Sequence, residues 1–372
     1  MTLRTKLSVS AFSLALVVAL AAFISACGGA PQPVGKDGGT STSSGSAMRL
    51  QGAGATFPAP LYTKWVSEYG KANPNARIDY QSIGSGGGIQ QITARTVDFG
   101  ASDAPMTDDE LKAAKDELLH IPTALGAVVI TYNLPNNPEL KFSPATIADI
   151  FLGKIKKWDD KAIKDDNPGV QLPSTDISVV HRSDSSGTTA IFTEYLSKVS
   201  PEWKEKVGAG KQPNWPVGQG GKGNEGVMGA VKQQPNTIGY VELVYAVKTK
   251  LPAASVKNAS GNFVKPTLES VTAAASEALQ AMPEDLRVSI TNAGGAEAYP
   301  ISSYTYILVY KDQKDAAKGR ALVDFLWWCL HDGQAVTKDP EYPYSPLPAE
   351  IVKRAEAKLN SITSGGETLR GK

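Results

Sequence analysis

Arg182 and Asp184 stand two residues apart in the stretch HRSDSSGTTA (181–190), and Ser185, Ser186, Gly187, Thr188 and Thr189 follow at once. A guanidinium presents a planar fork of donors that matches an oxyanion two bonds at a time, and a carboxylate beside it can hold the fork in place. Hydroxyls grouped around a glycine add donors without bulk. Phe192, Leu196 and Val199 then recur at helical spacing, so the hydroxyl-rich turn opens a helix. A helix N-terminus carries unpaired N–H groups and the positive end of the helix dipole, a combination that favours an anion.

Two more segments share this design. GAGATFPAP (52–60) leads into a helix at Leu61, and IGSGGGIQQI (83–92) leads into one at about Ile89. Taken singly, each turn reads as ordinary capping, because Ser, Thr and Gly are common cap residues. Arg182 with Asp184, taken alone, reads as a surface pair worth ~0–1 kcal/mol. Three such turns together with a bidentate cation point instead to one small tetrahedral oxyanion enclosed by the three termini.

Asp103 sharpens this chemistry. Val97, Phe99 and Ala101 alternate as in a short strand, and the turn SDAP follows. An aspartate at a strand end commonly caps a turn, yet an ionised carboxylate that faces an anion repels it unless the anion still carries a proton. Phosphate at neutral pH carries one or two and sulfate carries none. A group that only accepts hydrogen bonds therefore selects the protonated oxyanion and rejects the bare one.

Catalytic patterns are missing around these residues. No G-x-S-x-G elbow occurs, GQGGKGNEG (218–226) has no Ser or Thr after its lysine, and GAGATF lacks the third glycine of a dinucleotide fingerprint. His120, His181 and His331 are scattered without metal-ligand spacing, and His181 reads as a polar residue at a strand end. A phosphate-ester hydrolase with Ser186 as nucleophile is the enzymatic alternative, and it lacks a nearby base and metal ligands. Neither a cofactor nor a metal is expected, and the chain is read as a non-enzyme.

The elements that must position these groups alternate between short β-like runs and amphipathic helices. RIDYQSI, GAVVITYN and SYTYILVYK read as strands, and Leu61, Trp65 and Tyr69 lie four apart on one helix face. Such alternation argues for α/β layers. Residues 128–133 and 300–308 are candidate connecting strands, which divides the folded part into a discontinuous domain I (49–131 plus 302–372) and an inserted domain II (132–301).

The 38 basic and 37 acidic residues nearly cancel, so no basic stripe suggests nucleic acid. Arg4 and Lys6, the apolar run 11–24 and then ISAC form a lipoprotein signal: residues 1–26 are removed and Cys27 is acylated. The apolar run is shorter than the ~20 residues that span a bilayer. Removing two positive charges takes the net charge from +1 to −1. Residues 27–48 are rich in Gly, Ser, Thr and Pro and read as a flexible tether. Cys329, the other of the two cysteines, sits in an apolar helical segment and reads as a buried free thiol.

GAGATFPAP, IGSGGG, VDFGASDAP, IFLGKIKKWDD, RSDSSGTT, WPVGQGGKGNEGV and IGYVE occur in order from about Leu50 to about Ile351. Together they resemble the phosphate-binding protein of the phosphate-specific ABC transporter. The resemblance implies a type II periplasmic-binding-protein fold, with two α/β domains joined by two crossing strands and a ligand cleft between them. It implies capture of inorganic phosphate and delivery to the permease subunits of an ABC transporter. With the signal and Cys27 read above, the chain is expected to be an exported monomer that its lipid anchor holds on the membrane, facing the periplasm or the outer surface. Carried over by motif, Thr56 and Phe57, Ser85, Arg182, and Ser186, Gly187 and Thr188 donate to the anion, Asp103 accepts the phosphate proton, and Asp184 restrains Arg182. Another tetrahedral oxyanion, arsenate above all, is the alternative ligand. Gly86 and His181 stand where some relatives have a serine and a second basic residue. KIKKWDD (154–160) and GGKGNEG (220–226) read as structure or permease contact, not ligand contact.

Overall fold

A computed structural model describes residues 48–370. Cys27, the signal segment and the tether ahead of Met48 lie outside the described residues. Its centre is one eight-stranded mixed sheet, built from β1 (Met48–Gly54), β2 (Ala76–Ser82), β3 (Phe99–Ser102), β4 (Leu118–Asn133), β5 (Ser178–Arg182), β6 (Gln219–Gly221), β7 (Thr237–Glu242) and β8 (Ser302–Tyr310). Their order across the sheet is β2-β1-β3-β8-β4-β7-β5-β6.

The sheet reads alike from its two ends. β1 lies between parallel neighbours β2 and β3, and β5 lies between parallel neighbours β6 and β7. In each set the chain leaves the central strand through a helix and returns beside it, and such open sheets gather ligand groups at the carboxyl ends of their strands. Between the sets run the two long strands. Residues 118–127 of β4 pair antiparallel with β8, while residues 128–133 of β4 pair antiparallel with β7. All of β8 and all of β4 but its last residue are buried, in agreement with their mostly apolar and aromatic character. GAVVITYN is only the second half of β4; the strand begins nine residues ahead of Ala127, at Leu118.

Five helices bear on the site: α1 (Ala59–Ala72), α2 (Ser85–Thr93), α3 (Gly187–Val199), α4 (Gly223–Gln233) and α5 (Leu243–Thr249). Leu61, Trp65 and Tyr69 form the buried face of α1, and the Trp65 indole N–H donates to Gly333 O at 2.6 Å. That face locks the helix onto the sheet, which fixes where its N-terminus points. α2 begins at Ser85, four residues ahead of the expected Ile89. Gly84 precedes it at φ +89°, a conformation that L side chains rarely adopt, and so lets β2 turn straight into the helix. Cys329 is buried and free.

Candidate functional site

The three glycine- and hydroxyl-rich turns converge. Thr56 and Phe57 lie just ahead of α1, Ser85 opens α2, and Ser186 caps α3, whose first residues are Gly187 and Thr188. Asp103 directly follows β3, and Arg182 ends β5. All eight are buried; Asp103 is 1% exposed and Arg182 3%. Ser85 Oγ is 3.3 Å from Asp103 Oδ2. Gly187 is so close to both that a Cβ on it would lie 2.3 Å from Ser85 Oγ and 2.5 Å from Asp103 Oδ2.

Several donors on these residues have no partner among the described residues. α2 has no side-chain cap. The Ser186 hydroxyl accepts from Thr189 N at 3.0 Å, which leaves its hydrogen to give. The N–H groups of Phe57, Ser85, Gly187 and Thr188 have no acceptor among the described residues. Ser85, Gly187 and Thr188 lie in the first turns of their helices, where backbone N–H groups have no intrahelical partner and favour an anion.

Arg182 is no surface residue. Its Nε donates to Asp184 Oδ1 at 2.8 Å and its Nη2 to Asp184 Oδ2 at 2.5 Å, a bidentate fork. Asp184 also accepts from Gly223 N at 2.9 Å. Burial pushes the Asp184 carboxyl up, but the hydrogen bonds and charge of Arg182 outweigh it, and the group ends below its usual range. Asp184 is therefore ionised at neutral pH and aims the guanidinium.

Asp103 behaves differently. Burial pushes its carboxyl up to about 7, against the opposing pull of the Thr305 hydroxyl, the Arg182 charge and the Ser85 hydroxyl. Thr305, on β8, donates to Asp103 Oδ1 at 2.9 Å. The carboxyl is thus poised to hold or release a proton near neutral pH, where the sequence-based expectation took it simply as ionised.

Residues outside the expected set complete the network. Asn224, from the GGKGNEG block, reaches the hydroxyls of Thr56 at 2.7 Å and Thr188 at 3.1 Å. Tyr245, on α5, donates to Thr56 O at 2.5 Å. That carbonyl shares a peptide with the Phe57 N–H, so the bond polarises the donor. The GGKGNEG block is therefore part of the site's scaffold, while Lys156 and Lys157 of KIKKWDD lie apart from it: Lys157 pairs with Asp176 at the surface. His181 Nδ1 lies 3.0 Å from the backbone carbonyl of Arg182, and its ring stacks on Trp215 with centroids 4.7 Å apart. At the rim, Lys211 pairs with Glu110 at 2.7 Å and Gly86 N donates to Ser185 O at 3.0 Å. An open groove of about 640 Å³ runs past Gly86, Glu110 and Ser185 outside them. Among the described residues no group of three or more His, Cys, Asp or Glu side chains could hold a metal.

A sheet that presents helix N-termini from both ends to one buried ionic cluster defines a small-ligand receptor of the periplasmic-binding-protein class. Residues 39–330 match the family model described as a PBP superfamily domain. A protein named phosphate-binding protein PstS from Xylella fastidiosa (strain Temecula1) is 50% identical over 312 residues, covering 83% of this chain and 84% of that protein. Its namesake from Pasteurella multocida is 47% identical, covering 87% and 94%. One from Methanocaldococcus jannaschii is 43% identical, covering 85% and 87%. The chain belongs to the PBP superfamily and, within it, to the PstS family of phosphate-binding proteins. Among solved structures, the phosphate-binding protein of Stenotrophomonas maltophilia superposes with a TM-score of 0.62 at 20% identity, covering 84% of this chain and 94% of its own. A periplasmic phosphate-binding protein solved with bound phosphate, PfluDING, gives 0.66 at 21%, covering 83% and 93%. At that identity both speak for the fold alone.

Proposed function

We propose that this chain binds inorganic phosphate in a cleft between two domains and delivers it to the permease of an ABC transporter. The observation that carries the reading is the buried convergence of three helix N-termini with Arg182 and Asp103. Four free N–H groups, the Ser186 hydroxyl and an aimed guanidinium replace an anion's water shell, and one carboxyl placed among them answers to the proton on the ligand. The names of the relatives support the same ligand. Thr56, Phe57, Ser85, Asp103, Arg182, Ser186, Gly187 and Thr188 are the proposed contacts, with Asp184 holding Arg182.

The two domains in this reading are residues 49–131 plus 302–372 and residues 132–301, joined through β4 and β8. Thr56, Ser85 and Asp103 come from one, and Arg182 with α3 from the other. Because every contact group is buried, capture requires the halves to part and close, a hinge motion in the connecting strands. Binding involves no covalent step, and no base adjoins Ser186 to make it a nucleophile. The lipoprotein signal that ends ahead of Cys27 supports export and anchoring at the membrane surface. Arsenate, which keeps phosphate's shape and protons, is the one rival ligand this site admits.

Calorimetry on the purified chain, stripped of bound anion and titrated at pH 7.5, tests the reading. Tight one-to-one binding of phosphate without sulfate binding supports it. Equal binding of both leaves an oxyanion receptor without proton sensing, and binding of neither overturns it.

A further inference from the structure

Asn224 is fully buried at the start of α4. The backbone N–H of Glu242 meets one end of its amide at 3.0 Å. A backbone N–H can only donate, so that end is Oδ1 and the NH2 group faces the other way. The NH2 gives one hydrogen to Thr56 Oγ1 at 2.7 Å and one to Thr188 Oγ1 at 3.1 Å. Each oxygen accepts a second bond: Thr56 Oγ1 from Asn224 N at 3.3 Å, Thr188 Oγ1 from Arg182 Nη1 at 3.3 Å.

A hydroxyl oxygen has two lone pairs. On both threonines both are engaged, and what remains is the O–H hydrogen, which has no acceptor among the described residues. A freely rotating hydroxyl can turn a lone pair toward an incoming anion, and these two cannot. With both NH2 hydrogens in use, Asn224 has none left for a ligand. It works through its neighbours, and it also joins Thr56 to Thr188, 132 positions apart (188 − 56) and on opposite sides of the proposed cleft.

We infer that Asn224 is a positioning residue that makes the hydroxyls of Thr56 and Thr188 obligate donors toward the bound anion and clasps the two halves around it. The inference rests on the phosphate reading of the site. It assigns a role to the GNEG segment at the start of α4 that is neither ligand contact nor permease docking. Its energetic logic is preorganisation: donors already aimed lose no rotamer freedom on binding.

The test is a double-mutant cycle read by calorimetry and stopped-flow release of inorganic phosphate, using the purified chain at phosphate concentrations up to millimolar. Asn224→Leu keeps the volume and removes the amide. We expect it to weaken phosphate binding about 10- to 100-fold, mostly through faster release, as for the loss of one or two hydrogen bonds to a charged partner. In a Thr56→Val/Thr188→Val background, where no hydroxyl remains to be aimed, the same change should cost less than about 3-fold. An equal factor in both backgrounds, or no effect in the native one, overturns the inference and leaves Asn224 a packing residue. Should Asn224→Leu fail to fold, Asn224→Ala, which cannot clash, is read in the same way. If the unaltered chain fails to bind phosphate, it is the underlying reading that falls, and this inference with it.

Discussion

Gly187 and Asp103 meet so closely that a single methyl group on Gly187 would lie 2.5 Å from the Asp103 carboxyl oxygen Oδ2. The two residues come from opposite ends of the sheet, one at the start of α3 and one after β3. Gly187→Ala should therefore wedge them apart. At the first position of a helix alanine is favoured over glycine, by about 0.5–1 kcal/mol in helix interiors, so the variant should fold. Phosphate affinity should nonetheless fall at least about 100-fold: the Ser85 and Asp103 oxygens would have to swing away from the anion, and Asp103 Cβ, 2.8 Å from the added methyl, can give way only if backbone moves. Calorimetry gives the affinity, and a thermal melt of the ligand-free variant separates lost binding from lost folding.

Arg182 and Asp184 form a pair that is buried at the arginine and nearly so at the aspartate, with side chains 1% and 14% exposed. Asp184→Asn would leave the guanidinium without its counter-charge, a loss of roughly 3–5 kcal/mol for a buried pair. A bound anion supplies the missing negative charge. The variant should thus melt well below the native chain without phosphate and recover much of the difference with it. Arg182→Lys keeps the charge but loses the fork, and should weaken phosphate binding about 10- to 100-fold. A melt with and without phosphate, beside a titration, checks both.

Much of this site was visible in the chain because its parts are local. Arg182, Asp184, Ser186, Gly187 and Thr188 fall within seven residues, and a glycine among hydroxyls ahead of a helical repeat declares an N-terminus wherever it occurs. The strands and helices likewise followed their periodicity, with β4 underestimated because its first half, LLHIPTAL, alternates poorly and carries a proline. Thr305 was not visible. It reaches Asp103 across 202 positions from a strand whose pattern reports only burial. Asn224 and Tyr245 were missed for the same reason: one lies at the start of α4, in a block that reads as structure or permease contact, the other in α5, which no motif singles out, and only the fold brings them to Thr56. Asp103 was found, but its raised pKa was not, since burial is a property of the assembled fold.

Glu110 and Lys211 bridge the rim across 101 positions. Lys211 keeps 15% of its side chain exposed and Glu110 30%. Burial raises the Glu110 carboxyl, but Lys211 and the Thr107 cap outweigh it and hold it below its usual range. A partly wet pair of this kind is worth only ~0.2–1 kcal/mol. Glu110→Gln should accelerate phosphate release about 2- to 5-fold, leave the anion contacts intact, and lose its effect at high salt as screening shortens the reach of the charges. Stopped-flow release at low and high ionic strength decides this.

Asp103 links binding to pH. The unfolded chain releases this proton near the ordinary value of 3.8, whereas the folded chain, with burial as the main cause, holds it up to about 7. The folded state therefore binds more protons between these values, and stability falls as pH rises. This group's stabilisation is fully present below about pH 4 and lost as pH passes 7, up to about 4 kcal/mol. Asp103→Asn, which has no proton to lose, should flatten that slope, so the native chain should lose stability relative to the variant between pH 5 and 8 in urea melts. On the phosphate reading, the same proton should govern selection. Above pH 7 the ionised carboxyl should accept from protonated phosphate and repel sulfate, since like charges at such a contact cost several kcal/mol. Sulfate should thus be rejected by a factor of about 100 or more at pH 8, and less strongly at pH 5.5, where Asp103 can donate. In Asp103→Asn the amide donates at any pH, so sulfate should bind at both while phosphate weakens less. Competition calorimetry at the two pH values measures this, and an Asn variant that still excludes sulfate would sink the role given to Asp103.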